Sequence, residues 1–400
     1  MGEPPLDVLL DLTPLDTPSR YRGIGRYVRG LARALAALPA TPQPGLTVAG
    51  LIRSRPGRGP LVDPTLRYAG DPARHPGWLD YATYLAGRRV ALGTLAHSAG
   101  ARLLHLTDPR GTLLDGRTPR LVTCHDLIPL LFPEEYLAPL PGASLLQRLR
   151  DLARYRLPHR ILAVSEATRQ DLVARLGLSP DAIDVVHHGV DHERFRPSPG
   201  GAAEPAEAAR IAGLLGSAEP FLLYVGSGDP RKNLPLLVQA FSDSGRAREV
   251  RLVLAGRLSA RQRLPIERAV RETGLGERVL FAGFVAEDDI PALYRRCLAH
   301  VFPSSYEGFG LPVLEAMACG APTVTTPASS LPEVAGEAAL LVPARERAPL
   351  AAAIRRLVDE PALRQELRTR GLDQAARFTW ERCARETLAV YRRTLDGLAR

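Results

Sequence analysis

The chain has 400 residues, more than the roughly 100–200 that one hydrophobic core organises, so two domains are expected. With 45% hydrophobic and 24% charged residues it has the balance of an ordinary soluble globular protein, which excludes a disordered or collagen-like chain. The net charge of +9 favours anionic partners in general without choosing among phosphates, nucleic acid and an acidic membrane surface.

Short β-type runs alternate with helical stretches from end to end, the pattern of α/β architecture with parallel sheets. In the first half the runs predict strands at Asp7–Leu12, Thr47–Ile52, Leu103–Thr107, Leu121–His125, Ile161–Ser165 and Asp184–His188. The pattern restarts at Phe221–Val225 and continues through Arg251–Ala255, Val279–Gly283, Ala299–Pro303, Thr323–Thr325 and Ala339–Val342. Between the halves, RPSPGGAAEPAEAAR is rich in Pro, Gly and Ala and reads as a linker. The expected division is 1–196, a linker at 197–210, a second domain at 211–378, and a terminal helix at 379–400 packing back towards the first domain. Two doubly wound domains of this size would present the carboxyl ends of their strands to a cleft, where such folds bind ligands.

No apolar run approaches the roughly 20 residues of a membrane-spanning helix, and MGEPPLDVLL lacks the basic flank of a secretory signal, so a cytoplasmic protein is expected. Cys124, Cys297, Cys319 and Cys383 lie far apart with no metal-ligand spacing, and they read as reduced thiols. Of the 52 basic residues 51 are Arg; the single Lys, Lys232, stands beside the single Asn, Asn233, in GDPRKNLPLL. Such survivors in a sequence otherwise emptied of both residue types point to a site that needs a compact ammonium where a planar guanidinium will not serve.

Four segments that follow predicted strands carry candidate chemistry. In SRYRGIGRYVRG, Gly23 and Gly25 stand just ahead of a basic helix, where backbone N–H groups can approach a phosphate; the third Gly of a dinucleotide fingerprint is missing, and a tight turn into a basic helix would look the same. In LVTCHDLIPL, His125 ends a strand, where it can position a sugar hydroxyl. In YVGSGDPRKN, Gly226 and Gly228 precede Arg231 and Lys232 at a helix start, a diphosphate clamp that needs no metal and is not a P-loop. In SSYEGFGLPVLEAMACG, Glu307 and Glu315 stand eight positions apart around Gly308, Phe309, Gly310 and Leu311. If helical throughout, that spacing is roughly 12 Å, wider than the ~5–9.5 Å of a glycosidase carboxyl pair. Glu307 in the loop and Glu315 inside the helix would instead accept hydrogen bonds from different parts of one long ligand.

These motifs resemble the retaining GT-B glycosyltransferases of family 4. EGFGLPVLE is similar to that family's E-x7-E signature, GSGDPRKN to its diphosphate-binding segment, and RVLFAGFVAEDDIPALYRRC to its base-recognition strand and following helix. AVSEATRQDL, HHGVD and FTWERCARETLAVY match in position, and GIGRY further resembles the bacterial O-antigen mannosyltransferases. The resemblance implies that Arg231 and Lys232 neutralise the donor diphosphate, that Glu315 accepts from the ribose, and that Glu307 with the Phe309–Gly310–Leu311 backbone holds the donor sugar. It places His125 by the sugar's reacting face, Gly23 and Gly25 in a loop closing over the phosphates, and Phe284 and Val285 beside the base. His188 departs from the Asn common at that position of the family.

The implied activity is hexose transfer, from GDP-mannose first, to a glycan or polyprenyl-linked acceptor, with the nucleoside-diphosphate sugar as co-substrate and no cofactor or metal. A UDP-sugar donor, or a sugar-nucleotide epimerase or hydrolase of the same architecture, is the alternative. A nucleic-acid partner is disfavoured, because aromatics are few and Arg is spread along the chain rather than concentrated. The segment 145–160 mixes Leu with Arg148, Arg150, Arg154, Arg156 and Arg160, which fits either an anionic membrane surface or a packed helix with a solvated basic face.

Overall fold

A computed structural model describes residues 6–16, 23–38, 46–51, 96, 97, 99–109, 118–137, 142–198, 200 and 203–399. The chain divides into two compact units, one made of Met1–Gly189 with Thr379–Arg400 and the other of Val190–Phe378. The first unit ends at Gly189 rather than 196. Val190 donates its N–H to the Phe378 carbonyl at 3.1 Å, and Phe195 is buried against Tyr294, so 190–196 is built into the second unit. Nor is 197–210 a continuous linker: its Ala- and Glu-rich end opens the helix Ala203–Leu215, where those residue types favour helix and Pro205 sits harmlessly in the first turn.

The first unit holds β1 (Val8–Asp11), β2 (Val48–Leu51), β3 (Leu103–Leu106), β4 (Arg120–Cys124), β5 (Arg160–Ala163) and β6 (Ile183–Val185). All pair in parallel in the order β2-β1-β3-β4-β5-β6. β1, β3 and β4 are buried at every residue, as expected of parallel strands covered on both faces. The terminal helix Trp380–Leu398, capped by Thr379 accepting from Arg382 N–H at 3.0 Å, packs against the helix Gly23–Ala37 in this unit. Tyr27, Leu31, Tyr391 and Leu395 share one core cluster, and Trp380 and Leu388 pack against it.

The second unit holds β7 (Phe221–Val225), β8 (Arg251–Ala255), β9 (Val279–Gly283), β10 (Ala299–Val301), β11 (Thr323–Thr325) and β12 (Leu340–Leu341). Their order, β12-β11-β10-β7-β8-β9, is that of a Rossmann sheet, and it reverses between β7 and β10. Such a reversal sends the two following segments to opposite faces and opens a crevice at the strands' carboxyl ends. Both the GSGDPRKN and the SSYEGFGLP segments leave the sheet there.

Candidate active site

After β7 the chain passes through Gly226 into a 3-10 turn, Pro230–Lys232, and then the helix Leu234–Asp243. The turn is stabilised at its start by Asp229, which accepts from Ser227 Oγ at 2.7 Å and lies 3.6 Å from Arg231. Asn233 closes it in the left-handed region (φ 55, ψ 37), a conformation Asn tolerates better than most residues. Its side-chain amide donates to the Pro303 carbonyl at 2.8 Å and to Ser305 Oγ at 2.7 Å. Ser305 N–H in turn donates to the Arg231 carbonyl at 2.7 Å, so the segments after β7 and β10 are stitched together.

This stitching brings Arg231, Lys232 and Glu307 into one buried cluster. Arg231 donates from Nη1 to Glu307 Oε1 at 2.8 Å and to the Tyr306 carbonyl at 2.6 Å. Lys232 Nζ donates to the same Oε1, as does Ser304 Oγ at 2.6 Å. The Lys232 ammonium also rests 4.6 Å from the centre of the Phe302 ring, a cation–π contact. Burial pushes the Lys232 pKa down to about 8; Arg231 pushes the same way and Glu307 opposes both. Burial alone would raise the Glu307 carboxyl, but Lys232 and Arg231, helped by hydrogen bonds from Lys232 and Ser304, hold it below the ordinary value. The cluster thus concentrates two cations on one carboxylate oxygen, with Arg231 also held by the Tyr306 carbonyl and Asp229.

Glu307 is fixed from behind by two serines. Its N–H donates to Ser329 Oγ at 2.8 Å, and Ser330 Oγ donates to the carbonyls of Glu307 at 2.9 Å and Phe309 at 2.7 Å. Ser329 itself is held at φ 49, a strained conformation for a residue with a Cβ. Gly310 (φ 112) then turns the chain into the helix Leu311–Ala318; a Cβ there would stand 2.9 Å from Leu331 Cδ2. Glu315 is buried within that helix, and Glu307 lies in the loop before it.

Further along the same sheet edge, Gly256 after β8 approaches Gly226 so closely that a Cβ would lie 1.8 Å from the Gly226 carbonyl oxygen. Phe284, beyond β9, is 54% exposed and carries the Arg257 guanidinium 4.4 Å from its ring centre, while Val285 is buried. Arg257, Ser304, Ser329 and Ser330 were not singled out by sequence reasoning. Serines are too common to stand out, and their role depends on folding around Glu307.

In the first unit, His125 directly follows β4 and contacts the Thr107 carbonyl through Nε2 at 2.8 Å. Since a carbonyl only accepts, Nε2 carries a proton. The Tyr27 ring meets His125 edge-on at 5.1 Å and stacks on His188 at 4.8 Å, and Trp380 stacks on His188 at 5.9 Å. Burial, then the neighbouring His125 and His187, lowers the His188 pKa well below its ordinary value. Gly23 and Gly25 correct the expectation of a loop: Gly23 begins the helix and Gly25 is buried within its first turn, where the helix packs on the unit's core. Residues 17–22, in the rest of that motif, lie outside the described residues. Among the described residues no three His, Cys, Asp or Glu side chains are grouped to hold a metal ion, and no helix is long and apolar enough to cross a membrane.

Comparison with known proteins matches both units. Residues 21–194 match the family described as Glycosyltransferase Family 4, and residues 207–374 match Glycosyl transferases group 1. The serotype-specific mannosyltransferase WbdA of Escherichia coli is 31% identical over 280 residues, covering 68% of this chain and 33% of WbdA. The O-antigen chain mannosyltransferase B of Escherichia coli is 31% identical over 237 residues, covering 58% of this chain and 60% of that protein. The chain therefore matches between a third and three fifths of the length of these relatives. Among solved structures, a sucrose-phosphate synthase from Thermosynechococcus elongatus superimposes with a TM-score of 0.74 at 24% identity, covering 98% of this chain and 100% of that one. With two doubly wound sheets and a family match on each unit, the chain belongs to the GT-B glycosyltransferases of family 4.

Proposed function

We propose that the protein transfers a hexose, mannose from GDP-mannose first, from a nucleoside-diphosphate sugar to a hydroxyl of a glycan or polyprenyl-linked acceptor in cell-surface polysaccharide synthesis. The observation that carries the reading is the buried Arg231–Lys232–Glu307 cluster at the reversal point of the second sheet. As the bond from sugar to diphosphate breaks, negative charge builds on the leaving oxygen. Two preorganised cations in a desolvated setting are suited to stabilise it, and they supply without a metal the charge a divalent ion would otherwise provide. Glu307 then exchanges its cation partners for the ligand and accepts hydrogen bonds from the sugar. The mannosyltransferase names of the matched relatives favour mannose.

Retention of configuration is part of this proposal. In the free protein Glu307 is engaged by two cations and Ser304, and in the proposed complex it accepts hydrogen bonds from the sugar hydroxyls, which suits a binding role better than that of a covalent nucleophile. Attack by the acceptor on the face the diphosphate leaves is the course we favour. The test is thermal unfolding of the wild type and Lys232→Ala with GDP, UDP and ADP in turn, without added metal. A ligand at 100 times its Kd adds about 2.7 kcal/mol of stability. Stabilisation by GDP that is lost in the variant supports the reading, UDP in its place moves the donor to a UDP-sugar, and a folded protein that responds to none sinks it. Product analysis separates transfer from epimerisation, which alters the sugar nucleotide without an acceptor.

A further inference from the structure

The helix Ala143–Arg156 of the first unit is built the wrong way round for a soluble surface. Of the nine large hydrophobic side chains exposed among the described residues, four fall between 145 and 157: Leu145 at 61%, Leu146 at 49%, Leu149 at 54% and Leu157 at 42%. On a helical projection of 100° per residue, Leu145, Leu149, Ala153 and Leu146 fill one arc of about 100°. Arg148 borders that arc on one side and Arg150 on the other, and both are exposed. Among the described residues neither arginine meets a carboxylate.

The helix is held to the protein by Asp151 and Tyr155, which are buried on the side away from the stripe, and by Leu152, which lies between Leu145 and Arg148 at the edge of the stripe and packs against the core of the first unit. Asp151 is the helix's one acidic residue, and it accepts from Gln147 and from Arg154, each at 2.9 Å. The outward face therefore carries leucines and arginines and no acid. An ordinary surface helix turns its leucines inward; here Leu145, Leu146 and Leu149 are outward, and of the helix's four leucines only Leu152 packs on the core, beside Tyr155 and the paired Asp151.

We propose that this helix lies in the interface of a membrane bearing anionic headgroups, with the leucines among the acyl chains and Arg148 and Arg150 reaching the phosphates. The flanking arrangement suits long basic side chains that extend from an apolar stripe to a charged plane. A second copy of the chain fits less well, because a two-fold contact through this stripe would set the arginine borders of the two copies against each other. The proposal concerns binding alone and stands whether or not the activity above is correct.

Sedimentation with vesicles of phosphatidylglycerol and phosphatidylcholine in equal parts, against phosphatidylcholine alone, tests it. The wild type is expected to sediment with the first and not the second. Leu145→Ser/Leu146→Ser/Leu149→Ser should weaken binding more than about tenfold at unchanged melting temperature. Arg148→Gln/Arg150→Gln should weaken it about thirtyfold, at roughly 1 kcal/mol per basic residue near the surface. Arg268→Gln/Arg271→Gln, which removes the same charge from exposed positions of the helix Ala260–Glu272, should change it less than about threefold. A wild type left in the supernatant overturns the proposal, as does a leucine variant that binds like the wild type. Equal loss in the control variant shows only the attraction of a basic protein, and a dimer that the leucine changes dissolve shows that the stripe faces a second copy; either result also overturns it.

Discussion

Lys232 and Glu307 form a buried ion pair although they lie 75 positions apart, and Arg231 and Ser304 converge on the same carboxylate oxygen. The pair exists because β7 and β10 are neighbours, with Leu222 opposite Ala299 and Leu223 opposite His300. It holds the two cations in place and compensates them in the free protein, at the position where the proposed function puts the donor diphosphate.

Removing the carboxylate should therefore be costly to the free protein and helpful to anion binding. Glu307→Gln leaves the buried Lys232 without its carboxylate and Arg231 with the Tyr306 carbonyl and the more distant Asp229, and breaking such a buried pair costs about 3–5 kcal/mol. Lys232→Met leaves Glu307 with Arg231 and Ser304 and should cost less. Inorganic pyrophosphate should then raise the melting temperature of Glu307→Gln more than that of the wild type. Equal stability of Glu307→Gln and wild type in thermal unfolding would show that the cluster does not hold the fold as described.

Lys232 gives the site a pH signature with opposite signs for binding and stability. Its folded pKa is lowered to about 8, against 10.5 for the ordinary group. An anionic ligand needs the protonated form, so nucleoside diphosphate affinity should fall above about pH 8 by up to tenfold per unit. Without ligand the sign reverses: between about 8 and 10.5 the unfolded chain holds more protons, so this residue's contribution to stability rises with pH. Lys232→Arg stays charged across the range and should flatten the affinity profile. Calorimetric titration from pH 7 to about 9.5 decides it, and a wild-type affinity constant over that range would exclude Lys232 from the ligand's contacts.

The strands were the most legible part of the molecule, for a physical reason. FLLYV, RLVLA and TVT are continuous apolar or β-branched runs because parallel strands are covered on both faces, and the structure starts and ends them where the sequence does. Helix starts rich in Gly and Pro were less legible. Gly23 and Gly25 read as a loop but lie in a helix that packing holds, and the Pro and Gly of 197–201 masked the helical composition that begins at Ala203. In the candidate site, Lys232 and Asn233 stood out by rarity, and the left-handed turn at Asn233 now accounts for the Asn. The convergence on Glu307 was not legible, since it depends on strand order rather than on local spacing.

Trp380 explains Gly30 and Gly189, two glycines to which their motifs alone assign no role. A Cβ on Gly30 would lie 2.2 Å from the indole Cε2, and one on Gly189 would lie 2.2 Å from the Trp380 backbone nitrogen. Gly30→Ala and Gly189→Ala should each destabilise by about 1–3 kcal/mol or more. Their rescue should differ: Trp380→Leu clears the indole from Gly30 but leaves the backbone against Gly189. A double-mutant cycle read by denaturant unfolding should thus show coupling above about 1 kcal/mol for Gly30→Ala with Trp380→Leu and little for Gly189→Ala. Similar coupling for both would mean that the side chain, not the backbone, sets the space at Gly189.

Acid should unfold the protein through histidines that the fold keeps neutral. His105 is fully buried, bonded to Thr123 Oγ1 at 2.8 Å and to the Tyr391 hydroxyl at 2.7 Å, and burial followed by the nearby His125 lowers its pKa to about 3. His300, buried between Tyr294 and Phe302, is lowered by burial to about 3 as well. Each unfolded histidine takes up a proton near 6.5 that the folded state refuses, so stability is intact above that pH and is lost as pH falls below it. The slope is about 1.4 kcal/mol per pH unit for each group until its folded pKa is reached. His300→Phe keeps the ring stack without the titrating nitrogens, so urea unfolding between pH 7 and about 4.5 should show a shallower loss than in the wild type. Parallel profiles for the two proteins would mean that His300 is protonated in the folded state, against the burial that the structure gives it.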